Sequence, residues 1–331
     1  MLLIVEVLGM VCDPRALPPL KSLIATPSSM IQEQVAKTLR NYGSVGIPIL
    51  IDLILSPNES ESAANRSAQI LVEIGKECVI PVTEALPRVV LGRTQLLVQV
   101  LEHVRDPRAI PALIALLKMS QRDSSLAVVV IQALSQFPDK QVVAPLLDVL
   151  ASSGSPLYEN ASKALSLFGE IALDDLIAGL DVEKETVMTR GVRDALLYMR
   201  PFPSERLLNT FTECSEAHAQ QIMIVFRLKG EEVAPFLVNH LCHHNERIQR
   251  YVRQTLHQME GQHIIPPLLD TLNHPTCRPI IASYLRKYLQ ITIPLLVDLL
   301  GDSRLGDAST SRHCEMGPLE GLGRAIIFAK A

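Results

Sequence analysis

The chain has 331 residues, of which 48% are hydrophobic and only 4% aromatic, with no tryptophan. A formal net charge of −4 argues against a general binder of nucleic acid or of anionic membranes. The charge is uneven, because residues 1–185 carry 15 basic and 21 acidic side chains whereas residues 186–290 carry 12 and 9, with seven of the nine histidines.

The first segment, MLLIVEVLGMV, predicts an apolar helix that has no helix before it to pack against. It lacks a basic start and contains Glu6, which disfavours a signal peptide. No run reaches the roughly 18 uncharged apolar residues of a membrane-spanning helix. Leu2, Leu3, Val5 and Leu8 leave the helix no polar outer side. We therefore expect either a piece of a longer repeat protein or a face that docks on a partner or a second copy.

A twelve-residue stretch occurs twice, as DPRALPPLKSLI from Asp13 and as DPRAIPALIALL from Asp106. An aspartate at this position can accept hydrogen bonds from the free N–H groups of a first helical turn. Pro107 falls at the first helical position, where its missing N–H costs nothing. The apolar residues that follow are spaced by three, one and three, which predicts one buried stripe on a helix.

The proline four residues after Pro107 marks a slot that returns every 28 to 33 residues along the chain. The ten slots are Pro18, Pro48, Pro81, Pro111, Ala144, Asp174, Glu205, Pro235, Pro266 and Pro294. A second helical pattern lies between the slots and often ends in a glycine, a residue typical of helix C-caps. These glycines are Gly43, Gly75, Gly169, Gly230 and Gly261. Each unit is predicted as helix A, a turn, helix B and a glycine turn.

The fold predicted from this period is an all-α, right-handed α–α superhelix of about ten two-helix repeats of roughly 30 residues. It spans residues 1–300 and is followed by an irregular tail, 301–331. The units DPRAIPALIALL and ENASKALSLFG resemble the short HEAT repeats of the phycobilin-lyase type. The resemblance covers about residues 1–300 and implies a HEAT-like solenoid.

This resemblance implies several functions, because such repeats serve as protein-binding scaffolds and also occur in bilin-lyase subunits, deoxyhypusine hydroxylase and a DNA glycosylase. Likeness of fold does not choose among them. Deoxyhypusine hydroxylase binds di-iron through His-Glu dipeptides, and this chain contains none. We therefore expect no metal, no cofactor, no catalytic residue and no enzymatic activity. An enzyme-associated HEAT protein is the alternative, and a DNA-contacting one is a third.

The segment HLCHHNE is the one cluster with metal-ligand chemistry. His240 and His244 would share a helix face if helix A runs that far, with Cys242, His274 and Cys277 in the same or the next unit. The tight cysteine pairs of a structural zinc site are missing. A polar helix end with two ordinary buried thiols explains the segment. All six cysteines are predicted to be free thiols in a reducing cytoplasm.

The segment NERIQRYVRQTLHQM predicts a basic helix, with Arg247, Arg250 and Arg253 at three-residue steps and His257 four further on. It is either a solvated face or a contact surface for phosphate or an acidic peptide. The scarcity of aromatic residues disfavours single-stranded nucleic acid, which binds largely by base stacking.

The functional hypothesis rests on polar residues that recur on one face of successive B helices. When each helix B is aligned on its late leucine-type residue, the positions six before, two before and one after share a face, which in HEAT proteins lines the concave side. Amide side chains there could bind an extended peptide backbone. The alternative is the ordinary solvated stripe of an amphipathic helix. The predicted groove residues are Gln95, Gln99, Gln132, Glu159, Lys163, Arg190, Asp194, Gln220, Arg227, Arg250, Gln254 and His257. The expected partner is a protein or peptide with its acidic end over Arg190, Arg227 and Arg250.

Overall fold

The computed structural model describes nine stretches of the chain. These are residues 1–24, 26, 28–57, 59–88, 93–120, 123–152, 157–181, 186–271 and 277–301. The predicted tail 301–331 lies outside them apart from Gly301, the last residue of a helix. Across these stretches the regular structure is helical, with no strand.

Two kinds of helix alternate along the chain, as the period predicts. The B helices are α1 (Leu2–Val11), α3 (Ser29–Asn41), α5 (Glu61–Ile74), α7 (Thr94–Val104), α9 (Ser124–Ser135), α11 (Leu157–Leu167), α13 (Val187–Tyr198), α15 (Glu216–Lys229), α17 (Glu246–Gln258) and α19 (Arg278–Lys287). The A helices are α2 (Leu17–Ile24), α4 (Ile47–Leu55), α6 (Val79–Ala85), α8 (Ile110–Ser120), α10 (Lys140–Ser152), α12 (Glu170–Ala178), α14 (Ser204–Thr210), α16 (Ala234–Asn239), α18 (Gly261–Asp270) and α20 (Leu289–Gly301).

The helical pattern predicted from the sequence is confirmed at its two reference positions. Every one of the ten slots, from Pro18 to Pro294, lies inside an A helix. Every late residue used to align the B helices is fully buried. These residues are Leu39, Leu71, Leu101, Leu134, Leu165, Leu196, Phe226 and Leu256. The chain is therefore an all-α array of paired helices, and the number of repeats and the superhelical hand stay predictions.

The helices form two compact units, Met1–Asp175 with Thr186–Tyr198, and Leu176–Glu185 with the chain from Met199 onward. In the first unit each B helix packs on the next, in the order α1, α3, α5, α7, α9, α11, α13. In the second unit α15 packs on α17, and the A helices α16, α18 and α20 pack in series. A helix pair thus buries its apolar stripes against its neighbours in the array.

The duplicated DPR stretch builds the same turn twice, which confirms the predicted N-cap. The Asp106 carboxylate accepts hydrogen bonds from the Arg108 backbone N–H at 3.0 Å and from its guanidinium at 2.9 Å. Asp13 does the same with Arg15. The Arg108 guanidinium also donates a 3.0 Å hydrogen bond to the Lys76 carbonyl, which lies in the turn of the preceding repeat. The motif therefore caps one helix and ties it to the repeat before it.

Four of the five predicted glycine turns have the left-handed backbone that favours glycine, with φ between 52° and 77° at Gly43, Gly75, Gly169 and Gly230. The prediction for Gly261 is wrong. This residue is buried at the start of α18, and an added Cβ would lie 2.6 Å from Tyr288 Cδ1. Close packing explains this glycine.

The N-terminal helix α1 has the uncovered apolar face that its sequence predicts, with a correction to its orientation. Val5 is buried against the array, together with Gly9, so it does not belong to the outer side. Leu3, Val7 and Met10 form that side and are 75%, 54% and 74% exposed.

One membrane-related feature occurs near the end of the described chain. Within the described ranges no single helix is long and apolar enough to cross a membrane. The pair Arg278–Lys287 and Leu289–Val297 passes that test on combined length and composition, but it bends by 109° at its break.

We predict that Asp106→Ala lowers the free energy of unfolding by about 1–2 kcal/mol at pH 7, because the N-cap and the Arg108 ion pair are both lost. Hydrogen bonds from Arg108 lower the pKa of Asp106 to about 2. Its carboxylate therefore stabilises the fold above the unfolded pKa of about 4, and this contribution is lost as the pH falls from about 4 towards 2. Urea unfolding of the wild-type chain and of Asp106→Ala at pH 7, 4 and 3 should show their free energies of unfolding converging as the pH falls.

Asp13→Ala is the matched control for this prediction. The Asp13 side chain makes the same bonds but is 31% exposed, against 8% for Asp106. Its replacement should be the milder of the two, because solvent screens its ion pair. An equal or larger loss for Asp13→Ala would contradict the assigned role of burial.

Candidate partner-binding face

The predicted groove residues lie on the accessible side of the B helices. Ten of the twelve are exposed, and Gln95 and Asp194 are partly buried. In each aligned B helix, the late leucine-type residue used for the alignment is buried in the core. Within each unit this accessible side, which we call the B-helix face, has clefts between neighbouring B helices.

In the first unit, α5 and α7 enclose a cleft of about 570 Å³. Gln69 and Gln99 lie in it with Asn65, so three amide side chains from two repeats come together as the alignment predicts. Gln95 is not among them. It lines a separate cleft with Met119 of α8. Gln95 stands in the first turn of α7, and its part in the partner-binding groove stays a prediction.

Further along the first unit, three of the predicted residues are already engaged by other side chains. Lys163 and Glu159 form an ion pair at 2.6 Å within α11. Asp194 accepts a hydrogen bond of 2.5 Å from the Tyr158 hydroxyl. Burial and this bond raise the pKa of Tyr158. Gln132 and Arg190, two further predicted groove residues, are exposed on α9 and α13.

In the second unit, α15 and α17 enclose a cleft of about 530 Å³ that gathers four predicted residues. Gln220 and Arg227 come from α15, and Gln254 and His257 come from α17. Met223 and Ile224 supply apolar surface between them. Arg227 has no ion pair with any described residue, so its charge is available to a ligand.

Arg250 differs from Arg227 because the fold already compensates its charge. Its guanidinium lies 3.3 Å from a Glu216 carboxylate oxygen and donates a 2.7 Å hydrogen bond to the Tyr251 hydroxyl. The fully buried Tyr251 in turn donates to Glu216 at 2.8 Å. The fold therefore already engages Arg250, and its contact with the acidic end of a partner stays a prediction. Arg247 is engaged as well, donating to the Thr212 and Cys214 carbonyls.

A third cleft, of about 400 Å³ between α17 and α19, contains an arginine absent from the predicted groove. The Arg253 Nε atom is buried and has no hydrogen-bond partner among the described residues. Arg253 lies three residues before the late Leu256. The equivalent residues of the other aligned B helices are Ala36, Ala68, Val98, Ile131, Ser162, Arg193 and Met223. All of these are buried. A cation at a position that is otherwise used for packing was therefore the sequence signal that could have identified Arg253 as a candidate binding residue.

The His and Cys cluster is arranged differently from its prediction. Helix α16 ends at Asn239, so His240 and His244 do not share a helix face. Cys242 and Cys277 form a disulfide, which corrects the prediction that all cysteines are free thiols. His274 lies outside the described residues. Among the residues that the structure describes, no three His, Cys, Asp or Glu side chains are placed to hold a metal ion.

Three other cysteines are free thiols in the described part of the chain, namely Cys12, Cys78 and Cys214. Burial raises the pKa of the Cys78 thiol to about 11. Burial also raises the pKa of Cys214, which the nearby Arg247 cation opposes. A thiol with a raised pKa is rarely ionised at neutral pH and is therefore a poor nucleophile. We therefore assign Cys78 and Cys214 a role in packing.

The fold and this face define an all-α protein of repeated helix pairs with an accessible polar side on its B helices. A scan against protein-family models and a search of curated proteins found no match. Solved structures similar to this chain include an engineered protein, with 14% identity, 99% of this chain and 94% of that chain covered, and a TM-score of 0.37. Human deoxyhypusine hydroxylase in complex with glycerol has 14% identity, 76% and 96% coverage and a TM-score of 0.33. Importin beta has 14% identity, 94% and 52% coverage and a TM-score of 0.33. At these scores the likenesses carry no argument about function.

We predict that Tyr251→Phe lowers the free energy of unfolding by about 1 kcal/mol, the net value of one buried hydrogen bond. The change removes the hydroxyl that joins Glu216 to Arg250 and leaves the ring packing in place. Tyr198→Phe is the control, because Tyr198 is 45% exposed and its hydroxyl has no hydrogen bond to a described residue. Urea unfolding that gave the two variants equal stability would show that the Glu216–Tyr251–Arg250 contact adds nothing.

Proposed function

We propose that this chain is a non-enzymatic, HEAT-like scaffold that binds a protein or peptide partner along its B-helix face. The observation that carries the proposal is the gathering of amide and basic side chains from successive repeats in the clefts between neighbouring B helices. Such amides can donate to and accept from an extended peptide backbone. The clefts also contain apolar side chains, so they offer both the contact area and the polar groups of a recognition surface.

The second unit favours an acidic partner segment. Its α15–α17 cleft presents Arg227 without an ion pair to a described residue, and the carboxylate that lines the cleft, Glu216, is already engaged by Arg250 and Tyr251. Opposite charge accelerates encounter and orients the partner. The proposed location is the cytoplasm, where thiols such as Cys12, Cys78 and Cys214 stay reduced.

We predict that Arg227→Gln weakens partner binding about tenfold, or about 1.4 kcal/mol. Arg250→Gln should change the affinity less than about threefold, because Glu216 and Tyr251 already engage Arg250. The partner would first be identified by cross-linking to the intact chain, and its affinity for each variant then measured at two salt concentrations. Binding should weaken with salt, which screens exposed charges over about 8 Å at physiological ionic strength.

The control for this measurement is Arg206→Gln, an exposed arginine on A helix α14 of the same unit. It changes the net charge equally but lies off the B-helix face. Equal effects of Arg206→Gln and Arg227→Gln would mean that only net charge matters, and the B-helix assignment would then be wrong.

We also propose that a second copy of the chain binds the outer side of α1. Leu3, Ile4, Val7, Met10 and Val11 are each more than half exposed there. The one charged residue of α1, Glu6, lies at the edge of this stripe by helical spacing. With Met1, these side chains would bury about 400–700 Å² on each copy, at roughly 60–120 Å² per aliphatic side chain. Stable interfaces bury about 800 Å² per partner, so the area fits a weak symmetric dimer.

We predict that Val7→Glu shifts the chain towards monomer, because a charge at the centre of the stripe would be buried without a partner. Light scattering across a concentration series measures the shift. Leu167→Glu is the matched control, since Leu167 is 67% exposed on α11 of the same unit. A wild-type chain that stays monomeric at high micromolar concentration would exclude the second copy as the occupant.

A further inference from the structure

The α17–α19 cleft contains a cation that the fold leaves uncompensated. The cleft is lined by Arg253, Gln254, His257, Ile280, Ser283 and Tyr284. None of these side chains is acidic. The Arg253 Nε is buried without a hydrogen-bond partner among the described residues, and no described carboxylate forms an ion pair with its guanidinium. A partly buried guanidinium without an anion is costly, so this arrangement favours an anionic ligand.

The neighbours of Arg253 add positive charge and hold the cleft in place. The Tyr284 hydroxyl donates to the Arg253 backbone carbonyl at 2.8 Å, which joins α19 to α17. The ammonium of Lys287 lies 3.3 Å from the His257 carbonyl oxygen, close to the cleft. Burial raises the pKa of Tyr284 to about 12, and the Arg253 cation opposes this rise. Tyr284 therefore stays protonated at neutral pH and does not act as the anion for Arg253.

A comparison within the chain separates this arginine from an arginine with a structural role. Arg193 of α13 occupies the same position of its B helix, three residues before the late leucine. It is only 7% exposed, and it has partners within the structure. Arg253 is more exposed than Arg193 and opens into a cleft. The Nε atoms of both arginines are buried without a hydrogen-bond partner among the described residues. The two differ because Arg193 has other partners within the structure, whereas Arg253 opens into a cleft.

We infer that the α17–α19 cleft binds the carboxylate of an aspartate or glutamate side chain in an extended, acidic partner segment, with Arg253 as its anchor. This inference rests on the proposed scaffold function of the B-helix face. The planar guanidinium pairs with a carboxylate through two parallel hydrogen bonds. Gln254 and His257 also line the α15–α17 cleft, so the two clefts adjoin along one path that a peptide can follow.

Acidic peptide is favoured over nucleic acid by the residues of the same clefts. Gln220, Gln254 and Gln258 offer amides to a peptide backbone. Single-stranded nucleic acid binds by stacking bases on open aromatic rings. The two aromatic rings that line the α17–α19 cleft, His257 and Tyr284, contact each other edge to face, with their centroids 5.7 Å apart.

The test is fluorescence anisotropy of the full chain with a labelled decapeptide of alternating glutamate and serine, against the same peptide with glutamine for glutamate. Arg253→Gln should weaken binding of the acidic peptide at least about tenfold, the value of a lost charge-assisted hydrogen bond. The matched control Arg286→Gln removes an exposed arginine of α19 that does not line the cleft, and should change the affinity less than about twofold. Equal effects of the two variants, or equal binding of the two peptides, would overturn the inference.

A second variant keeps Arg253 and fills its site. Ser283→Glu places a carboxylate on the wall of the cleft, where it should pair with Arg253, raise the melting temperature and reduce peptide binding at least about tenfold. A lower melting temperature with unchanged peptide binding would count against an uncompensated cation. An oligonucleotide of equal charge that binds more tightly and depends equally on Arg253 would replace the acidic peptide as the ligand.

The two proposals fail by different results. If Arg227→Gln leaves capture of the identified partner unchanged, the scaffold assignment of the α15–α17 cleft fails. If Arg253→Gln leaves the acidic peptide bound as tightly as before, the carboxylate site fails while the scaffold function stands.

Discussion

Each helix pair in this chain can bury its apolar stripes only against the pair that stands about thirty residues away. Hydrogen bonds across this distance are built on the same spacing. The Tyr42 hydroxyl donates to the Leu8 carbonyl, 34 residues earlier, and Arg108 donates to the Lys76 carbonyl, 32 residues earlier. These bonds come with contacts between consecutive B helices, so the period of the sequence becomes the spacing of the array. The fold depends on this neighbour contact more than on any single repeat.

The same constraint determines where a ligand can bind. Stacking uses one side of every B helix, and the opposite side is left to solvent. Because equivalent positions recur in each repeat, polar residues on that side line up and form clefts where two B helices meet. The clefts therefore share amide side chains such as Gln99 and Gln254. They differ in charge, which changes between repeats without disturbing the stack.

The variation in charge between repeats has its largest effect at one position of the B helix that is normally used for packing. Three residues before the late leucine, most repeats place a small or apolar side chain between helices, such as Ala68 or Ile131. Arginine replaces it in two repeats. A guanidinium buried there is costly without hydrogen bonds, and Arg193 has partners within the structure. The Nε atoms of both arginines lack a hydrogen-bond partner among the described residues, but Arg253, unlike Arg193, lines the α17–α19 cleft. A substitution of this kind keeps the repeat and changes what the surface can bind.

The sequence by itself determined the helices, their order and their buried sides, because these depend on local patterns. Apolar spacing, the aspartate caps and the glycine turns act within one or two turns of helix, and the ten slots from Pro18 to Pro294 all lie in A helices. The accessible side of the B helices followed from the same spacing, and Gln99, Gln220 and Gln254 lie in its clefts.

Only the tertiary structure decided which side chains of that face have partners. Arg227 and Arg250 look alike in the sequence, yet Arg250 meets Glu216, which is 34 residues away, and Arg227 meets no described carboxylate. Cys242 meets Cys277 across 35 residues, and Gly261 is needed because Tyr288 packs on it. Helical spacing along one segment shows which direction a side chain takes. It does not show what the neighbouring repeat places in front of it, because that depends on how two helices distant in sequence pack together.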